Sequence, residues 1–247
     1  MAKKINCFIP VQEKNQVIET VNGLKANELV AKIYLLATED FNEAIEGCEV
    51  VKIDSLQSSA TVKKIAELSD APYSLIYTKY TTLELGYFAL ERIVNLAEDS
   101  NASMLYADHY QIIDGVKKAS PVIDYQFGSL RDDFNFGSVL FYNAEALKCG
   151  ASRMKQDYKF AGLYDLRLKV AQKGELCHIN EYLYTEIEND NRKSGAKIFD
   201  YVDPKNRGVQ IEMEQACTEH LKEIGGYLEP KFEHIEFSEN NFEFEAS

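Results

Sequence analysis

The chain has 247 residues, of which 45% are hydrophobic and 27% are charged, and its formal net charge is −13. This composition is typical of a globular protein, and the length suits one large domain or one domain with an extension. The negative charge argues against nucleic acid, whose phosphates need clustered Lys and Arg, and against an anionic membrane surface. No apolar stretch approaches the length of a membrane span.

Five widely spaced cysteines, without a C-x-x-C pair, indicate free thiols in a reducing compartment. The four histidines lack the spacing of zinc ligands. The apolar run after the first lysines is too short for a signal peptide. We therefore expect a cytoplasmic protein.

Apolar runs and helical spacings alternate along most of the chain. The runs predict strands at residues 5–10, 32–37, 49–53, 73–77, 103–106 and 138–142, and the spacings predict helices at 13–24, 60–68, 83–97 and 163–173. Strands that alternate with helices indicate βαβ units in a mostly parallel sheet with helices on both faces. Ligands of such sheets bind beyond the carboxyl ends of the strands.

The pattern of apolar and polar residues changes at about residue 199. Residues 209–224 read as one amphipathic helix that ends at Gly225 and Gly226, and an acidic, aromatic tail follows at 229–247. We expect a domain at 1–204 and a helix with a linker or surface arm at 205–247. The tail has no closing element, which predicts that the natural chain continues.

Several segments resemble motifs of the family 2 glycosyltransferases. They are the strand ending in Ile9, Pro10 and Val11; the strand 73–77 with its turn and following helix; residues 105–110 and 113–115; the strand 137–142; and the segments 164–170, 173–174 and 181–184. The resemblance covers about residues 5–195 and is carried by the order and spacing of the segments. It implies an α/β, GT-A-like (Rossmann-type) fold, a nucleotide-sugar donor and a glycan acceptor.

Three functional motifs of that family are altered. The family's metal-binding Asp-x-Asp falls on Thr78, Lys79 and Tyr80, and its nucleobase turn falls on 36–40 without the family's acidic pattern. The carboxylate base of the family falls on Gly162 and Leu163. A cation bridging the diphosphate and a base for the acceptor hydroxyl are what such a transfer needs, so these losses predict degenerate catalytic motifs.

The chain in this respect resembles the divergent first domain of tandem glycosyltransferases. That resemblance implies a scaffold or a glycan- or nucleotide-sugar-binding domain, with an intact glycosyltransferase domain downstream. Two alternatives stay open. One is an active, metal-independent glycosyltransferase that uses Lys79 and Asp108, and the other is a protein-interaction module built on the helix 209–224 and the tail.

Candidate site residues follow from the same resemblance. The catalytic candidates are Asp108 and Asp165, and the nucleotide-sugar-binding candidates are Thr38, Lys79, His109, Arg192 and Lys193. A lysine can neutralise a diphosphate without a metal, which is the role expected of Lys79. No cofactor is expected, and Mn²⁺ or Mg²⁺ enters only if Asp108 replaces the missing Asp-x-Asp.

Each candidate also has a plain structural interpretation. Lys79 can be a solvated loop lysine, and Asp108 can accept hydrogen bonds from nearby backbone N–H groups in a turn. Asp165 can be an acidic residue in the first turn of a helix, where the helix dipole favours it. Arg192 and Lys193 lie where the family has a mobile loop, and a solvated loop is the alternative there. The paired carboxylates Asp132 and Asp133 read as a charged surface loop, and His178, between apolar neighbours, reads as a satisfied core histidine.

Overall fold

The computed structural model describes residues 4–188 and 207–231. Its strands are β1 (Ile5–Val11), β2 (Val30–Ala37), β3 (Glu49–Lys52), β4 (Tyr73–Tyr77), β5 (Thr82–Leu85), β6 (Met104–Ile113), β7 (Val116–Ser120), β8 (Val139–Asn143) and β9 (Leu176–Ile187). Its helices are α1 (Lys14–Lys25), α2 (Ser59–Leu68), α3 (Ala89–Ser100), α4 (Ala144–Ser152), α5 (Gly162–Ala171) and α6 (Arg207–Ile224).

The nine strands form one sheet in the order β3-β2-β1-β4-β8-β6-β9-β5, with β7 paired to β6. β1 and β4 are buried along their whole length, as expected of strands covered on both faces. The side chains of α1 and α3 pack on one face and those of α2, α4 and α5 on the other. The predicted α/β class and the helices on both faces are confirmed.

The sheet is mixed rather than mostly parallel. β1 pairs in parallel with β2 and β4, β2 with β3, and β6 with β9. The pairs β4–β8, β6–β8, β5–β9 and β6–β7 are antiparallel. The strands that pair antiparallel come mostly after the first βαβ units along the chain. In that later part, the alternation of strand and helix patterns in the sequence is weakest.

The predicted helix at 83–97 is wrong in its first turn. Residues 82–85 form β5, which pairs with β9, and the Leu83 N–H donates to the hydroxyl of Thr20 at 2.8 Å. The chain then turns through Phe88, whose φ of 53° is left-handed, before α3 begins. Tertiary pairing with β9 thus overrides a local apolar spacing that fits a helix.

β6 is longer than the predicted strand 103–106, and it includes Asp108 and His109. The extension is paired to β7 and to β9. Asp114 and Gly115 connect β6 to β7 with φ angles of 51° and 74°, the Asp-Gly turn that a two-residue hairpin favours. The alternative that Asp108 is a turn residue is therefore wrong.

The predicted C-terminal helix is confirmed as α6, which packs along α5. It ends where Gly225 adopts a φ of 74°, and the N–H groups of Gly226 and Tyr227 donate to the Leu221 carbonyl. This left-handed glycine is the expected helix stop. The predicted domain boundary at 204 lies outside the described residues.

Candidate functional site

The carboxyl end of β4 and the middle of β6 flank the start of β8. The Thr78 N–H donates to the Ser138 carbonyl at 2.9 Å. The Ser138 N–H in turn donates to the Tyr184 hydroxyl at 2.8 Å. This hydrogen-bonded layer fixes the turn 78–80 beside β6 and β9, at the edge where α/β sheets bind their ligands.

Lys79 extends from this turn into a cluster of polar side chains. Its Nζ lies 2.5 Å from Oε2 of Glu186, whose side chain is 3% exposed, whereas that of Lys79 is 42% exposed. Gln111 Nε2 donates to the same Oε2 at 3.0 Å. His109 Nε2 lies 3.3 Å from Oε1 of Glu186, and its ring stacks on Tyr184. We call Lys79, His109, Gln111 and Glu186 the Lys79 cluster.

Glu186 is the negatively charged member of the Lys79 cluster. Burial disfavours the charged carboxylate, but the hydrogen bond and positive charge of Lys79 hold its pKa below the usual value. Burial lowers the pKa of His109 despite the attraction of Glu186, so the ring is neutral at pH 7. The cluster therefore contains one lysine cation and one glutamate anion.

The residues at the family's metal position do not fit a divalent cation. Thr78, Lys79 and Tyr80 offer a hydroxyl, an ammonium group and a phenol where carboxylate oxygens are the usual ligands. The Lys79 ammonium would repel a cation placed beside it. Across residues 4–188 and 207–231, no group of three or more His, Cys, Asp or Glu side chains is arranged to hold a metal ion.

Gly162, the first of the two positions on which the family's base falls, is closed to any side chain. The Gly162 N–H donates to the Gln57 carbonyl at 2.7 Å. A Cβ on Gly162 would lie 2.4 Å from the Ser59 nitrogen. A carboxylate from α6 reaches the segment before this helix, where Glu212 accepts from the N–H groups of Phe160 and Ala161 at 2.6 and 3.2 Å.

Asp165 lies at the interface of α5 and α6. Its side chain is fully buried, and Oδ1 lies 3.5 Å from Nζ of Lys169, which is also buried. Burial raises the pKa of Asp165 to about 6, against the opposing attraction of Lys169. Its contacts thus belong to the packing of α6 rather than to the sheet edge.

Asp108 and His109 lie on opposite faces of β6, because successive strand residues alternate. Asp108 Oδ1 accepts from the Val122 N–H at 2.8 Å and lies 2.9 Å from His178 Nε2. The side chain of Asp108 is 2% exposed. The structure therefore brings His109 to Lys79 and directs Asp108 to the segment that follows β7.

Thr38 directly follows β2 in a loop that is organised by Lys52. Lys52 Nζ donates to the carbonyls of Thr38 and Glu39 and to Oδ1 of Asn42, each at 3.2 Å, and also to the Phe41 carbonyl. The loop thus presents its carbonyl oxygens to an internal ammonium group. Arg192 and Lys193, the other expected nucleotide-sugar contacts, lie outside the described residues.

Sequence reasoning missed Glu186, Gln111 and Lys52. Glu186 and Gln111 lie in strand extensions that were not predicted, so nothing indicated that they face Lys79. Lys52 lies in the predicted strand 49–53, which follows the altered nucleobase turn along the chain. Its position gave only a weak indication that it reaches that turn. His178 is hydrogen-bonded through both ring nitrogens, in agreement with the prediction of a satisfied histidine.

Comparisons with solved structures agree with this architecture. S. aureus TarS residues 1–349 in complex with UDP-GlcNAc matches with a TM-score of 0.60 at 10% identity, covering 88% of this chain and 66% of that one. The complex of the same TarS fragment with UDP gives 0.59 at 8%, covering 88% and 65%. The chain thus spans slightly less than two thirds of these two structures.

A further TarS 1–349 structure matches with a TM-score of 0.54 at 9% identity, covering 90% of this chain and 82% of that one. No protein-family model matches the sequence, and none of the curated proteins matches it. Within the described residues, the helices are too short or too polar to cross a bilayer. The chain has a mixed α/β fold of the GT-A-like glycosyltransferase type.

Proposed function

We propose that this chain is a glycosyltransferase-like domain that binds a nucleotide-sugar or glycan without a divalent metal and has lost the chemistry of transfer. The observation that carries the proposal is the ion pair between Lys79 and buried Glu186 at the turn where the resembled family holds its metal. The similarity to TarS structures with UDP-GlcNAc and UDP supports a nucleotide-sugar as the ligand.

Two further features support loss of transfer rather than its compensation. Gly162 leaves no space for a side chain at the start of α5, and Leu163 beside it carries no acidic group. Asp108 is almost fully buried and already accepts a backbone N–H, so it is poorly placed to take a proton from an acceptor hydroxyl. The domain would then serve as a scaffold or binding domain of a larger glycosyltransferase.

Isothermal titration with a panel of UDP- and GDP-sugars tests this proposal. We expect one donor to bind with a Kd that agrees within about twofold in Mn²⁺ and in EDTA, because Lys79 rather than a metal faces the diphosphate. A parallel assay for released nucleotide should show no turnover. Tight binding that needs Mn²⁺, together with turnover, would contradict the proposal.

An active, metal-independent glycosyltransferase is the second candidate. It is favoured by the 42% exposure of Lys79, which leaves part of the ammonium group open to a phosphate. This candidate predicts chelator-insensitive turnover that Lys79→Ala abolishes. Lys118→Ala, an exposed lysine on β7, is the matched control, and equal activity of the two variants would exclude the candidate.

A further inference from the structure

A pair of aromatic rings lies on the face of β6 and β9 that is opposite the Lys79 cluster. The rings of Tyr110 and Tyr182 stack with their centroids 4.6 Å apart. Lys117 Nζ lies 4.1 Å from the centre of the Tyr110 ring, an attractive cation–π distance. Tyr182 nevertheless remains 39% exposed. The sheet thus holds a tyrosine ring in a fixed orientation with part of its surface in solvent.

A fixed carboxylate lies on the same face. Asp124 is 84% exposed, yet its Oδ1 lies 2.7 Å from His178 Nδ1. His178 Nε2 lies 2.9 Å from Oδ1 of buried Asp108, and the His178 ring stacks on Tyr106. An exposed aspartate is normally free to move, but this one is held through an imidazole by an acid inside the protein.

The register of the sheet places these two features along β9. Tyr106 pairs with His178, and Asp108 pairs with Tyr182 across a shift in register after Ala107. Tyr182 and the His178 that holds Asp124 therefore lie four residues apart on one strand, on the same face of the sheet.

The chemistry of this face favours a neutral sugar over other ligands. The net charge of −13 and the exposed carboxylate oppose an anion, and the one lysine named at the site, Lys117, already lies over the Tyr110 ring. A purely apolar partner would desolvate Asp124 without giving it a hydrogen bond. A pyranose offers an apolar C–H face to stack on tyrosine and hydroxyl groups that donate to a carboxylate.

We propose that the face of β6 and β9 around Tyr182 and Asp124 is a docking site for neutral glycans. The site is separate from the nucleotide site proposed at the sheet edge, and it does not depend on that proposal. Tyr182 supplies the stacking surface, Asp124 accepts hydroxyl protons, and Asp108 and His178 act as positioning residues.

Titration of the whole chain with neutral hexasaccharides built from N-acetylglucosamine, glucose or galactose, followed by NMR, tests the proposal. We expect at least one to bind. Tyr182→Ala should weaken that binding at least tenfold, and Asp124→Asn should weaken it severalfold. Tyr182→Phe should stay within about threefold of the parent because the ring is kept. Tyr87→Ala, at a tyrosine that is 92% exposed, is the matched control.

UDP binding is measured on the same proteins, and it should be unchanged in Tyr182→Ala, whether strong or absent in the parent. Three results would overturn the proposal. They are no binding of any of the three hexasaccharides, equal weakening by Tyr182→Ala and Tyr87→Ala, or displacement of the bound hexasaccharide by UDP.

Discussion

Three carboxylates surround one buried ammonium group between α5 and α6. Lys169 Nζ lies 3.5 Å from Asp165, 3.2 Å from Glu219 and 3.1 Å from Glu223. Glu223 is half-buried, and against this desolvation the hydrogen bonds from Lys155 and Lys169 bring its pKa down to about 2. Glu219 and Glu223 also pair with Lys155, whereas Asp165 pairs with Lys169, which it shares with them, and burial raises the pKa of Asp165 to about 6. Of the three carboxyl groups, Asp165 is therefore the one whose ionisation costs the folded protein the most free energy.

Asp165→Asn is expected to stabilise the protein at pH 8. The folded pKa is raised from 3.8 to about 6, so the protonated acid favours folding, and this contribution is lost as pH rises through about 6. The difference between these two pKa values corresponds to roughly 3 kcal/mol. We expect urea denaturation to show a gain of up to about 3 kcal/mol at pH 8 and almost none at pH 4. Asp157→Asn, at an exposed position, is the control, and an equal gain at both pH values would contradict the assignment.

Gly162 has a steric role that a single substitution can measure. Gly162→Ala would place its Cβ 2.4 Å from the Ser59 nitrogen and 2.7 Å from the Gln57 carbonyl oxygen, both of which are backbone atoms. We expect a loss of about 2–4 kcal/mol in unfolding free energy, as for other overpacked sites. Gly23→Ala in α1 has no atom within 4 Å and should be neutral or stabilising by about 0.5–1 kcal/mol. A loss below about 0.5 kcal/mol for Gly162→Ala would show that α5 can shift.

The segment 121–138 illustrates at the element scale how buried side chains fix a long loop. Arg167 is 4% exposed, and its guanidinium donates to the carbonyls of Ser129 and Arg131 at 3.0 and 2.6 Å. Tyr106 accepts from the Tyr125 N–H through its hydroxyl at 2.7 Å. Asp108 accepts from the Val122 N–H. Loops of this length without secondary structure are commonly functional, and here α5 and β6 hold the loop in place.

Arg167→Met is expected to release this loop locally. Two carbonyls would lose a charged donor, which costs about 2–4 kcal/mol. Hydrogen exchange should accelerate most in residues 121–138 and leave β1 protected. Arg92→Met removes an exposed pair with Glu181 and should cost less than about 1 kcal/mol. Uniform acceleration across the sheet in Arg167→Met would indicate global destabilisation instead.

Element prediction succeeded where a local pattern and the tertiary environment agree. β4 was predicted at its observed bounds, because five consecutive residues without a polar face suit a strand that is buried on both sides. Element prediction failed at β5 and β9. β5 depends on its pairing with β9, and the residues of β9 range from buried to exposed. The partners of Lys79 were invisible for the same reason, since Glu186 reaches the site only through the β9 pairing.

Over the whole molecule, the fold is of the GT-A-like type, while the proposed site carries other residues than the resembled family has there. The resemblance in the order of motifs led to a GT-A-like fold, which the TarS structures match at only 8–10% identity. The replacement of Asp-x-Asp by Thr78, Lys79 and Tyr80 could be read from the sequence. The Glu186 counterion and the closed position at Gly162 could not, because both depend on contacts between residues more than 100 positions apart.

A lysine, Lys79, stands where the resembled family holds a divalent metal. The most direct test is the electron paramagnetic resonance signal of free Mn²⁺ in the presence of UDP, measured as this protein is added. We expect the signal to keep its amplitude, equal to that of the Mn²⁺ and UDP mixture alone, because the Lys79 ammonium and the lack of carboxylate ligands at the turn disfavour the ion. A fall in amplitude that saturates at one Mn²⁺ per chain would contradict the account.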